Sequence, residues 1–125
     1  MRVEVVDFVS MPTRDAGVAV AWYRDVLGLP VSEFTEGEVE APNVTFSFWE
    51  PERDNLPFVA NEAGVALRVP DVAAARAELE AKGVEFIAET WDSGVCHFAA
   101  FRDPDGNTLI LHRRYAPRTR ADTSL

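Results

Sequence analysis

The residues with the most versatile chemistry are few and close together: the chain's two histidines, His97 and His112, and its one cysteine, Cys96. Histidine titrates near neutrality and serves as base, proton donor or metal ligand. A thiol beside an imidazole invites a nucleophile reading. The spacing opposes it, because adjacent strand residues point to opposite faces. Cys96 reads better as a small buried hydrophobe. His112 lies two residues beyond Ile110 and shares its face if the strand is regular. It is the weak candidate for a catalytic base, and a strand-end histidine bonded to backbone or carboxylate is the plainer alternative. If Arg102 pairs with Thr108, Phe98 lies opposite His112 and His97 points away from both. A site of two histidines and a carboxylate from Glu50 would need a bulge to re-aim His97.

Aromatic residues offer a second kind of chemistry. VTFSFW (44–49) sets Phe46 and Phe48 on one face and Trp49 on the other. Phe46, Phe48, Trp91 and Phe98 are suited to stacking on a planar ligand, although core packing explains each of them singly.

The elements that must position these residues come in a repeated order. VEVVDFVSM (3–11) leads through Pro12 and Asp15 to a helix and Gly28, and GVALRV (64–69) leads through Pro70 and Asp71 to a helix and Gly83. Asp15 and Asp71 read as N-caps, and the glycines sit where a left-handed residue ends a helix. The first helix carries a stripe of Ala19, Trp22, Tyr23, Val26 and Leu27, and the second a thinner one of Val72, Ala75 and Leu79. Strands are expected at 29–34, 43–49 and 56–60 after the first helix, and at 84–89, 95–101 and 108–114 after the second. FRDPDGNTLIL (101–111) is a hairpin: Pro104 presets the turn, and Gly106 accepts the positive φ that follows. The chain thus reads as β-α-β-β-β written twice, an α+β arrangement of tandem modules at 1–61 and 62–114, with a tail at 115–125.

In this order and spacing, AWYRDVLGL (21–29), DVAAARAELEAKGVEF (71–86) and FRDPDGNTLIL resemble the vicinal oxygen chelate superfamily, the glyoxalase/bleomycin-resistance/extradiol-dioxygenase group. The resemblance spans nearly the whole chain. It implies two βαβββ modules forming a mixed, curved sheet around a central cleft, and a homodimer. It also implies a metal held by His, Gln or Glu from the first and last strands of each module. Carried over position by position, those slots fall on Phe8, Gly64 and Ile110, with a poorly aligned fourth near Pro57 and Phe58. None of these side chains donates a lone pair suited to a divalent cation. The expected protein is therefore without metal or cofactor, with an apolar cleft floor suited to an organic ligand. Its expected lining is Phe8, Phe46, Phe48, Gly64, Trp91, Phe98, Ile110 and His112.

Composition narrows the function classes. The net charge of −9 argues against nucleic acid, whose binding relies on Lys and Arg contacts to phosphate. Residues 1–111 hold 8 basic and 20 acidic side chains, so the body is expected to favour cationic ligands. No apolar run approaches the roughly 20 residues that span a bilayer. The N-terminus lacks a signal-peptide core, and a single cysteine suits the reducing cytoplasm. The expected function is sequestration of an organic or antibiotic-like molecule. The alternative is a lyase, isomerase or dioxygenase with a displaced metal site or metal-free chemistry at His112, so whether the protein is an enzyme stays open at this level.

Overall fold

Asp15 and Asp71 start the two helices as the sequence predicts. In the computed structural model, which describes residues 1–117, each takes an extended backbone and its carboxylate accepts from the amide three residues on, Val18 or Ala74, at 3.0 Å. Helices α1 (Ala16–Asp25) and α2 (Val72–Ala81) follow, and Gly28 and Gly83 adopt the positive φ that stops them.

Among the described residues, seven strands form two mixed sheets. β1 (Phe8–Pro12), β2 (Glu38–Glu40) and β3 (Thr45–Trp49) make the first, in the order β1-β3-β2, with β1 parallel and β2 antiparallel to β3. β4 (Val65–Arg68), β5 (Trp91–Asp92), β6 (Cys96–Arg102) and β7 (Thr108–Arg114) make the second, in the order β4-β7-β6-β5. There β4 runs parallel to β7, and the other neighbours are antiparallel. Two compact units result: residues 1–62 with 103–107, and residues 63–102 with 108–117. No helix among the described residues is long and apolar enough to cross a membrane.

Strand alternation assigns one face of each sheet to the core. In the first unit Met11, Val39, Phe46 and Phe48 are buried together with Ala19 and Tyr23 of α1. Tyr23 meets Phe48 and Phe46 edge-on, with centroids 4.8 and 6.3 Å away. In the second unit Ala99, Phe101, Leu109 and Leu111 are buried with Val72 and Leu79 of α2. Phe86, bridged to Phe101, adds a ring 5.2 Å from it.

Several expected strands are shorter or displaced. β1 starts at Phe8 because its partner β3 starts at Thr45, so residues 1–7 have no parallel neighbour to pair with. Segment 29–34 yields only the bridge Val31↔Val39: the Ser32 hydroxyl accepts from Phe34 and Thr35 amides and bends the chain. The strand that pairs is β2, which the sequence reading passed over. Segment 56–60 forms no strand, and its Pro57 has no N–H to donate to a ladder. Segment 84–89 contributes one bridge at Phe86, and pairing resumes at Trp91. Of the expected tail, the Tyr115 and Ala116 amides donate to the Val95 carbonyl at 3.0 and 3.3 Å, and 118–125 lie outside the described residues.

The DPDGN turn does more than reverse the chain. Asp103 is buried, and its carboxylate accepts from the Tyr23 hydroxyl at 2.7 Å, from the Asp105 and Asn107 amides, and from the Asn107 side chain, each at 2.9 Å. Asn107, wholly buried, also donates to the Pro12 carbonyl and accepts from the Asn61 amide, both at 2.8 Å. The Asp105 carboxylate takes the Thr13 hydroxyl at 2.6 Å and the Arg14 amide at 3.0 Å. Burial, reinforced by the Asp103 charge, pushes the Tyr23 hydroxyl well above the ordinary tyrosine range.

Tyr23→Phe should therefore cost about 1–3 kcal/mol, because a buried charged acceptor loses a donor. Urea unfolding measures that loss. The native hydroxyl stays protonated where an unfolded tyrosine ionises, near pH 10. Its contribution is thus fully present below about pH 10 and declines above it, and Tyr23→Phe should flatten that decline.

Candidate ligand-binding site

In the second sheet, pairing aligns Trp91 of β5 with Phe98 of β6, Phe98 with His112 of β7, and His112 with Arg68 of β4. Paired residues point the same way, so these four form one row across all four strands. The rings touch in succession. Trp91 and Phe98 have centroids 5.1 Å apart and inclined by 36°, and Phe98 and His112 lie 4.8 Å apart at 57°. The row is on the face turned away from α2. Trp91 is 60% exposed, and Phe98 and His112 are half-buried. Ala66, Ile110 and Ala100 form the next row of the same face, and Cys96 pairs with Arg114 beyond His112.

Four of the expected lining residues, Trp91, Phe98, Ile110 and His112, are thus brought together on one surface. Gly64 adjoins it. With φ at +97°, a Cβ there would lie 3.1 Å from Ile110 Cδ1 and 3.3 Å from Thr108 Cγ2. The positive φ strains any side chain at this position, and a Cβ would also press on Ile110 and Thr108.

Phe8 belongs to the other unit and is 53% exposed, on the sheet face that also carries Ser10, Ser47 and Trp49. Phe46 and Phe48 correct the expectation. They point to the opposite side of that sheet and pack on Tyr23, at 1% and 8% exposure, so they are core and offer no surface to a ligand. The cause is the strand register: their alternation matches Val39 and Met11, the apolar side that α1 covers.

His97 turns away from His112, as alternation requires, and joins a separate cluster. Its Nε2 is 3.3 Å from Asp92, and its ring lies 4.8 Å from that of Tyr115. The Gly94 amide, followed by the Tyr115 hydroxyl, holds the Asp92 carboxyl below its usual range, and the same hydrogen bond raises Tyr115. Glu50 is engaged elsewhere, accepting from the Ala16 amide at 3.2 Å and pairing with Arg53 at 2.7 Å. A groove of about 590 Å³ beside α1 includes Glu50, Arg53, Arg24 and the exposed Phe34, and none of the expected lining residues. Its two arginines already have carboxylate partners.

The residues in the metal slots do not fit a metal. Phe8, Gly64 and Ile110 have no donor atoms in their side chains. Phe58, in the fourth slot, receives the Arg14 guanidinium over its ring at 4.1 Å. Among the described residues no three His, Cys, Asp or Glu side chains are grouped to hold an ion.

The sequence reading missed Arg68 and Arg114, which occupy this face. Arg68 is exposed beside His112. Arg114 points Nη1 at Cys96 Sγ, 3.9 Å away, and its Nε is buried without a hydrogen-bond partner. The strand positions of the face carry Arg68, Arg102, Arg114 and His112, and no carboxylate. The expectation of a cationic ligand, drawn from total charge, therefore does not carry over to this surface.

Two mixed sheets with one capped helix each define an α+β protein of the paired βαβββ class. The profile of the Glyoxalase/Bleomycin resistance protein/Dioxygenase superfamily matches residues 5–111, and the chain belongs to that superfamily. No curated protein matches it. Among solved structures it resembles TnmS3, an antibiotic binding protein from Streptomyces sp. CB03234, at 24% identity and TM-score 0.76, over 91% of this chain and 98% of that one. UcmS2 is similar at 26% identity and TM-score 0.72, over 90% and 98%. A lactoylglutathione lyase from Agrobacterium tumefaciens shares the fold at 17% identity and TM-score 0.72, over 89% and 94%.

Two substitutions check this geometry. Gly64→Ala should destabilise by about 1–3 kcal/mol, since strained φ and a crowded Cβ act together. Ile110→Glu, on a half-buried open face, should cost a similar roughly 1–3 kcal/mol and leave the protein folded. Elemental analysis of Ile110→Glu should find no stoichiometric metal, because Phe8 and Gly64 still supply no ligand. Thermal melting of both variants measures the stability changes.

Proposed function

We propose that the protein binds a small organic, antibiotic-like molecule without metal and sequesters it rather than converting it. The observation that carries this reading is the Trp91–Phe98–His112 row, three rings in contact on an open sheet face. A ring row that ends in the exposed Trp91 and leaves Phe98 and His112 half-buried favours a flat apolar partner through area and ring geometry. The resemblance to an antibiotic binding protein points the same way. Among the described residues the His112 ring packs on Phe98 and has no carboxylate or hydroxyl partner, so nothing in this arrangement orients it as a base.

N-phenyl-1-naphthylamine, an uncharged aromatic probe, should bind saturably and quench tryptophan emission. Trp91→Ala and Phe98→Ala should each weaken it by about tenfold. Mass spectrometry should recover the probe unchanged. Absence of saturable binding, or indifference to both substitutions, would reject the reading.

We also propose a homodimer. Val3, Val5, Val6 and Phe8 are all more than half exposed in a segment whose first seven residues form no strand within the chain. Exposed β-rich apolar sequence of this kind is a ready surface for another chain. Light scattering should give twice the chain mass, and Val5→Asp should shift the protein toward monomer.

A further inference from the structure

The overall charge of −9 and the charge of the aromatic face have opposite signs. Along the strands of that face, every ionisable side chain except Cys96 is cationic or imidazole: Arg68, Arg102, Arg114 and His112. Among the described residues, none of these three arginines has an ion-pair partner. The one acidic residue of the four strands, Asp92, pairs with His97 and so points to the other face, where it is held by Tyr115. We infer that the compound this face accepts is a planar aromatic anion, such as a carboxylate or sulfonate. Its ring lies along Trp91, Phe98 and His112, and its acidic group meets Arg68. This inference rests on the binding role proposed above and adds the chemical class of the ligand.

The geometry supports the assignment. Neighbouring strands are about 4.8 Å apart, so the row from Trp91 to Arg68 spans roughly 14 Å. A two-ring aromatic with one acidic substituent matches the part from Phe98 to Arg68. A guanidinium offers its donors in a fork that fits a carboxylate or sulfonate, and it stacks on rings as an ammonium does not. Arg68 is exposed and free to reorient toward such a group. Arg114, one row along, adds positive charge that no carboxylate neutralises, its Nη1 being directed to Cys96 Sγ. Physiological salt screens charges that lie more than about 8 Å from the face.

The test compares two probes that differ by one group. 1-Anilinonaphthalene-8-sulfonate and N-phenyl-1-naphthylamine share a skeleton, and only the first carries a sulfonate. Fluorescence titration of the full chain should show the sulfonate binding about tenfold more tightly. Arg68→Gln should remove about tenfold of the sulfonate's affinity and change the uncharged probe by less than about twofold. Arg68 is exposed, so the variant should melt as the wild type does. Arg53→Gln, with the same change in net charge on the other unit, should alter neither probe. Equal binding of the two probes, with Trp91→Ala still weakening both, overturns the anionic class and leaves the aromatic-binding role intact. Equal responses to Arg68→Gln and Arg53→Gln overturn it too, by tracing the preference to net charge. If Trp91→Ala leaves both probes unaffected, the binding role fails and this inference fails with it.

Discussion

A single buried carboxylate, Asp103, organises the part of the chain that the rest of the first unit is fitted around. Burying a charge is tolerable only when hydrogen bonds replace its hydration. Here the Tyr23 hydroxyl, two backbone amides and the Asn107 side chain all donate to it. Each donor arrives from a position the fold must supply. Tyr23 comes from the buried stripe of α1, and Asn107 is in turn tied to Pro12 and to Asn61. The DPDGN motif is therefore a structural staple as well as a turn. Asp103 and Asn107 are buried and satisfy one another, which explains why so tight a turn uses so many polar residues.

The same economy shapes the second unit. One face of its sheet is closed by α2 over Ala99, Phe101, Leu109 and Leu111, and every residue between them is turned outward by the pleat. The run Leu109-Ile110-Leu111 thus serves two surfaces. The leucines are core, and Ile110 faces the open side, packed against Gly64. The slot to which the family resemblance assigns a metal ligand is here a hydrocarbon contact, and its neighbour has a positive φ that a side chain would strain.

The slots that the resemblance assigns to metal ligands hold Phe8, Gly64 and Ile110, which offer no donor, while the second unit's sheet face carries rings and guanidinium groups. The proposed binding would draw on flat apolar contact and on directional charge at Arg68, neither of which needs an ion.

Much of this could be read from residue order. Two aspartate caps, two glycine stops, the 3.6-residue stripes and the Pro-Asp-Gly turn are local signals, and they located both helices, the hairpin and the duplication. The pairing of Phe98 with His112 also followed, because a tight turn sets the register of the two strands it joins. What local signals could not supply were partners distant in the chain. Parallel pairing of β1 with β3 and β4 with β7 has no turn to encode it, so the short span of β1, the strand at 38–40 and the place of Arg68 beside His112 were invisible. For the same reason Phe46 and Phe48 looked equally suited to either side of their sheet. Only the position of α1, and of Tyr23 upon it, decided that they are core, and only the assembled sheet showed a basic face on an acidic chain.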